Sequence, residues 1–305
     1  MSEEASSGRP LLAECPVMVW RLFLNCRPWN AASWASLAVF GWATTLKGFT
    51  LLDFFANFIV LGFFATLLNG FSFAVNNVFD VEEDRKAGKA SNLVAARSVS
   101  RNKALAFSFI IGGASVAFFA YTGGVEGGLL SLLCIVIGFL YSAPPFRFKE
   151  KPILDIVSHG FFLGSLLVLL GAYFRSGTPN NVTYVYTVAF FFISCIFQLQ
   201  NLLGDYFFDR DAGVKTSIVR LGSLEKGRIA STILMLIGCV ATVAATWHFS
   251  LDVLPAAVLL SIQVLNLLLI QPKTPVYVVY TYQRKIQPYL MVCWGLILLL
   301  VTLFS

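Results

Sequence analysis

The chain has 305 residues, 57% of them hydrophobic and only 12% charged, with a mean hydropathy of +0.76 and a formal net charge of +6. That charged share is about half that of a soluble domain, too little to cover a water-facing surface, so a soluble globular fold is excluded. A basic balance on so apolar a chain points to membrane orientation and anionic lipid rather than nucleic acid.

In chain order, residues 1–14 read as a flexible cytoplasmic tail without a signal-peptide pattern, at the head of a single transmembrane domain filling 1–305. Cys15 to Leu24 mixes apolar residues with Arg21 and predicts an interfacial helix. Apolar runs of ~20 residues predict nine transmembrane helices, near 29–46, 54–76, 103–122, 126–143, 153–174, 183–204, 228–248, 252–271 and 287–304. The tyrosine-rich stretch Val276–Gln283, bounded by prolines, reads as interfacial. The expected fold class is therefore all-α, a polytopic membrane bundle of nine helices. With nine spans, 20 of the 22 Lys and Arg residues fall on one face, and only Lys47 and Arg175 on the other. The positive-inside rule makes the crowded face, with the N-terminus, cytoplasmic. The six cysteines form no CxxC pair and no metal spacing.

The acidic residues gather on that same face. The second span ends in Asn76, Asp80, Asp84 and Arg85, and the sixth in Asn201, Asp205, Asp209 and Arg210. Aligned without gaps, both segments read N-x-x-x-D-x-x-x-D-R-x-A-G, 125 residues apart. The repeat predicts two four-helix pseudo-repeats with a site at their interface. Residues four apart share a helix face, so each copy stacks an amide and two carboxylates in one stripe. Two facing stripes would repel one another unless a divalent cation lies between them, and hard oxygen ligands favour Mg²⁺. Arg27, Lys149, Arg210 and Lys215 lie at nearby span ends. Together with the carboxylates they predict a clamp for a diphosphate above an apolar bundle suited to a hydrocarbon tail.

These motifs resemble the UbiA superfamily of intramembrane prenyltransferases over nearly the whole chain. Asn76, Asp80 and Asp84 match its first aspartate motif, and Asp205 and Asp209 its second. Arg27-Pro28 resembles the Arg-Pro that opens its first helix. The run Tyr141-Ser142-Ala143-Pro144-Pro145-Phe146-Arg147-Phe148-Lys149 resembles its Y-S-x-P-P-x-R-x-K stretch. Asn77 stands where the family usually has Asp, and the loop Asn92–Arg97 lacks the family's common R-P-x-x-x-G pattern.

The resemblance implies transfer of a prenyl group from a polyprenyl diphosphate to a hydrophobic or aromatic acceptor, such as a quinone precursor or an isoprenoid lipid. It implies Mg²⁺ on Asp80, Asp84, Asp205, Asp209 and Asn76. Asn76, Asn201, Arg27, Lys149, Arg210 and Lys215 would bind the diphosphate, and Tyr141 would face an allylic carbocation or, equally, serve as an interfacial anchor. Elsewhere, Asp155 and His159 lie four apart on the fifth span and read as a mutual polar pair, the alternative being an acceptor pocket. Gln198 and Gln200 read as acceptor contacts or helix bridges. The competing class is a secondary transporter with a carboxylate site at the repeat interface.

Overall fold

The computed structural model describes residues 11–86, 88–269, 273–274, 278 and 281–304. Among these, every regular element is helical. Helix α1 (Leu11–Asn25) precedes α2 (Pro28–Ala43), α3 (Leu51–Phe79), the short α4 (Val81–Lys86) and the 42-residue α5 (Arg101–Ser142). Helix α6 (Leu154–Gly160) runs through a π-helical turn at Phe161–Ser165 into α7 (Leu166–Tyr173). Then come α8 (Asn181–Gly204), α9 (Tyr206–Ala212), α10 (Ser217–Leu221), α11 (Leu224–Phe249), α12 (Val253–Leu269) and α13 (Gln287–Phe304). Residues 11–14, expected as tail, instead open α1. Residues 1–10, the end of the expected eighth span at 270–271, and residues 276, 277, 279 and 280 of the tyrosine-rich stretch lie outside the described residues.

Five helical segments are long and apolar enough to cross a membrane: Leu51–Phe79, Arg101–Ser142, Leu154–Ser176, Asn181–Gly204 and Leu224–Phe249. Helix α5 is folded back on itself. At Gly124 the backbone takes φ 66, ψ −157, which only glycine adopts without strain. A Cβ on Gly127 would overlap the Phe119 carbonyl, and one on Gly112 would stand 3.0 Å from Ile135 Cδ1, so the two arms run antiparallel in contact. They correspond to the expected spans 103–122 and 126–143.

Helix α3 packs on α2 and on both arms of α5, α2 packs on α7, and α8 packs on α6 and α11. Helix α12 lies between α11 and α13, and α13 closes back against α2. Segment Leu154–Ser176 and helix α8 are mostly buried (72% and 61% of their apolar windows), against 28% or less for the other three long segments. The first two are the inner helices, and the others turn apolar faces outward, as a bilayer solvent permits. The main core joins α2, α3, α7 and α8 through Phe40, Trp42, Leu61, Leu167, Tyr186 and Phe190.

Candidate active site

The two aspartate segments have one local structure. Helices α3 and α8 both stop on an aspartate, Asp80 (φ −101, ψ 19) and Asp205 (φ −92, ψ 1), whose N–H groups still reach Asn76 O and Asn201 O. A short helix follows each time, so the N–H of Asp84 reaches Asp80 O (2.8 Å) and that of Asp209 reaches Asp205 O (2.9 Å). Both short helices end at a left-handed glycine, Gly88 (φ 64) and Gly213 (φ 77). The next residue then donates back to the second aspartate's carbonyl: Lys89 N to Asp84 O at 2.9 Å, and Val214 N to Asp209 O at 2.8 Å. The shared Asn, Asp, Asp and Gly thus encode one turn, used twice.

The first copy is enclosed and wired. Asp80, which caps α3, and Asp84, within α4, are both buried. The Asn76 amide donates to Asp80 Oδ2 (2.7 Å) and to Ser142 Oγ (3.3 Å). Residues 143–150, following α5, lie as a strap over this turn. Lys149 ion-pairs with Asp80 Oδ1, and Arg147 reaches Glu83 (3.1 Å), Glu150 and, more distantly, Asp80 (3.7 Å). Asp84 pairs with Lys89 (3.2 Å) and accepts from Asn92 Nδ2 (2.9 Å). Burial raises Asp80 above the usual carboxylate range, against the pull of Lys149 and Arg147.

Arg27 caps α2 in a left-handed conformation (φ 49). Its guanidinium donates to Asn77 Oδ1 and stands 3.9 Å from Asp84. Burial lowers its pKa, while Asp84 and Asp80 act the other way. Asn77, fully buried, donates its amide to Asn25 O (2.8 Å). That position therefore needs one donor and one acceptor, which an amide supplies and a carboxylate does not.

The second copy is more open. Asp205 and Asp209 are half-buried and form no ion pair among the described residues. Asp209 is pushed up to about 6, first by burial and then by the charge of Asp205; Lys89 and Lys149, the partners of the first copy, pull it down. The two turns therefore share one electrostatic field. Among the described residues, no three His, Cys, Asp or Glu side chains converge tightly enough to hold one ion in this conformation. Arg210 does not turn toward the carboxylates: it pairs with Asp211 (2.9 Å) and lies over the rings of Tyr206 and Phe207. Lys215 is exposed on the loop before α10. Asn201 is exposed and lines a cavity of about 720 Å³ between α2, α3, α8 and α13, together with Trp34, Phe40, Phe190 and Trp294.

The sequence profile of the UbiA prenyltransferase family matches residues 32–279. The chain belongs to the UbiA prenyltransferase family. It is 30% identical over 200 residues to 2-acylphloroglucinol 4-prenyltransferase of Humulus lupulus, covering 61% of this chain and 46% of that one. It is 29% identical over 168 residues to the lycopene elongase/hydratase of Haloferax volcanii, covering 53% and 52%. The chain thus spans about half the length of these relatives. In fold it superimposes with a TM-score of 0.69 on a UbiA homolog from Archaeoglobus fulgidus bound to DMAPP and Mg²⁺, at 19% identity over 92% of this chain and 99% of that one.

Against this UbiA frame, several contacts were not legible in the sequence. Arg147, Lys89, Asn25 and Asn92 reach the first turn from separate segments, and only Arg147 sits in a family-like stretch. Asp155 does not pair with His159. Its carboxylate accepts from Ser217 N and Ser217 Oγ (2.6 Å each), while Ser217 Oγ accepts from Ile153 N (2.8 Å), tying the start of α6 to the start of α10. Asp155→Ala would strand two buried donors, and a loss of about 3 kcal/mol of stability is expected. A thermal melt in detergent matching wild type would contradict this. Gln200 does bridge helices, donating to Asn266 Oδ1 (3.2 Å) and accepting from Gln287 (3.5 Å).

Below the carboxylates lies an aromatic belt in which the sequence pointed to Tyr141, His159 and Gln198 but not to Trp34, Phe162 or Phe197. Tyr141 meets Phe162 (ring centroids 5.7 Å apart), Phe162 meets His159 (5.7 Å), His159 meets Trp34 (5.2 Å) and Trp34 meets Phe197 (6.3 Å). Gln198 closes the belt by donating to Tyr141 Oη at 2.8 Å. Tyr141 lies in the field of Asp155, Asp80 and Asp209. In so phenylalanine-rich a chain the aromatic spacing alone singles out none of these rings.

Proposed function

We propose that this protein is an intramembrane prenyltransferase that moves a prenyl group from a polyprenyl diphosphate to a lipophilic or aromatic acceptor. The observation that carries the reading is the pair of carboxylate turns, with Arg27 at the first, and an apolar cavity lined by Asn201, one helical turn before Asp205. In this reading the nine apolar segments all cross the bilayer, the N-terminus and the site are cytoplasmic, and the two halves are four-helix copies. The repeated aspartate turn supports the last point.

The residues suit a divalent cation and an anion together. Among the described residues, five fully enclosed side-chain polar atoms lack a hydrogen bond, and three of them are here: Asp80 Oδ1, Arg27 Nε and Asn25 Nδ2. Asp80 Oδ1 has ion-pair partners but no hydrogen bond, and Arg27 Nε has no acceptor, so a cation and an anion bound here would satisfy both. Asp205 and Asp209 repel one another. Hard carboxylate oxygens of this kind favour Mg²⁺, held by Asp80, Asp84, Asp205 and Asp209 with Asn76. When bound, the ion supplies positive charge that stabilises the departing diphosphate. Arg27 and Lys149, with Lys215 at the rim, bind and orient the diphosphate oxygens. Arg210 joins them only if it releases Asp211. The belt around Tyr141 faces the allylic cation with ring π-density and keeps water from it. The cavity takes the prenyl chain. The acylphloroglucinol and the lycopene in the names of relatives support a lipophilic or aromatic acceptor.

Radiolabelled prenyl transfer in nanodiscs, with Mg²⁺ and with a chelator, tests the assignment. Metal-independent transfer would overturn the clamp. Asn77→Ala releases Arg27, and a donor KM raised about tenfold with little change in kcat is expected. An unchanged KM would remove Arg27 from donor binding.

The pH dependence follows from Asp209. Its pKa is raised in the folded protein, so protonation favours the metal-free fold. That stability is fully present below the unfolded carboxylate value and is lost as pH rises through about 6. A cation must displace this proton. Apparent Mg²⁺ affinity is expected to rise by up to about tenfold per pH unit below pH 6 and to level off above it. Titrations at pH 5, 6 and 7 check the slope, and a flat response contradicts it.

A further inference from the structure

We infer that His159 is the proton acceptor of the transfer step, taking the proton that the acceptor molecule loses on prenylation; this rests on the reading under Proposed function. Prenylation of an aromatic carbon or a hydroxyl releases one proton per bond formed, and a water-poor chamber needs a side chain to receive it. The carboxylates sit at the diphosphate end, where cations engage them. Among the described residues of the belt one side chain is a titratable base: His159, fixed between Trp34 and Phe162.

Its hydrogen bonds fit one tautomer. Ser194 Oγ donates its single proton to the His159 carbonyl (3.0 Å). Imidazole Nδ1 lies 3.0 Å from Ser194 Oγ; with the serine proton on the carbonyl, Oγ can only accept there, which places the ring hydrogen on Nδ1. Nε2 then bears the lone pair. It has no hydrogen-bond partner among the described residues, yet it is not one of the fully enclosed orphan atoms, so it borders open space. Ser194 and Trp34, two of the three residues that fix the ring, line the 720 Å³ cavity, and His159 stands directly behind them. The π-helical turn at Phe161–Ser165 starts two residues later and widens the helix at this point, a feature frequent at functional sites.

The step balances. The C–O bond of the donor breaks, and its electron pair leaves with the diphosphate. A π or lone pair of the acceptor forms the new bond to the allylic carbon. The C–H or O–H pair of the acceptor returns to the acceptor, and the proton passes to Nε2, from which it exchanges with water after product leaves.

His159→Asn retains an N–H near the Nδ1 position for Ser194 and removes the base. Ser194→Ala leaves the base but frees its tautomer, and serves if the first variant does not fold. Each is reconstituted in nanodiscs with radiolabelled geranylgeranyl diphosphate, Mg²⁺ and the lipid extract of the membranes that make the protein. Diphosphate, labelled product and labelled free prenol are measured together. In His159→Asn, product is expected to fall at least tenfold while diphosphate release falls less than threefold, free prenol making up the difference. Ser194→Ala should shift the same ratio in the same direction, by less. An unchanged product yield overturns the inference. So does a parallel fall of product and diphosphate release, which would make His159 a structural residue. If wild type itself releases no diphosphate and forms no labelled product, the proposed function falls, and the inference with it.

Discussion

Asp80→Ala and Asp205→Ala are each expected to lower prenyl transfer by about 10³-fold, the order seen when a group that stabilises developing charge is removed. The two substitutions act on copies of one turn, yet their side effects differ. Asp80 is buried and holds Lys149 and, at longer range, Arg147. Its removal leaves those cations facing each other in a partly buried space, so Asp80→Ala should also lower thermal stability. Asp205 is half-buried and holds no cation among the described residues. Asp205→Ala should lose activity with the fold unchanged, and removing its charge should let Asp209 titrate lower. Initial rates with radiolabelled donor, beside melts of the same preparations, separate the two. Activity within tenfold of wild type in both variants would remove the carboxylates from the chemistry.

Gly171→Ala is expected to destabilise the bundle by about 3 kcal/mol or more. Helices α2 and α7 cross at two reciprocal contacts. A Cβ on Gly171 would overlap the Ala38 carbonyl, and one on Gly41 would overlap the Val168 carbonyl. Both obstacles are backbone, so no side chain can swing aside, and the helices would have to separate. In a bilayer such close packing is the main attraction between helices, because lipid is as apolar as the core. The separation would open the core around Leu167, Val168 and Leu170, all of them fully buried. A detergent melt of Gly171→Ala, and of Gly41→Ala as its mirror, checks this. A melting temperature within two degrees of wild type would contradict the crossing geometry.

What could be read from the sequence was local. The aspartate turns were legible because i, i+4 spacing and the terminal glycine act within a dozen residues. The apolar runs were legible because a helix in lipid must be apolar along its length, and the break at Gly124 fell between two of them. The wiring around the first turn was not legible. Asn25, Asn77 and Arg27 meet across 50 residues, and Lys149 comes from a strap that only the fold brings over Asp80. Spacing misled at Asp155 and His159: four residues apart on one helix, they turn to different neighbours, because Ser217 and Ser194 offer each a better-placed partner. Arg210 shows the same limit. Its position after Asp209 pointed to the diphosphate, but Asp211 and two aromatic rings hold it outside.

The most direct test of the central claim is a product assay. The protein in nanodiscs is given radiolabelled geranylgeranyl diphosphate, Mg²⁺ and the lipid extract of its source membranes, and products are separated and weighed by mass spectrometry. The expected result is a covalent product heavier than its acceptor by one prenyl group, formed in step with diphosphate release and abolished by chelator. No covalent product, together with metal-independent flux of a solute across proteoliposomes, would contradict it and identify a transporter.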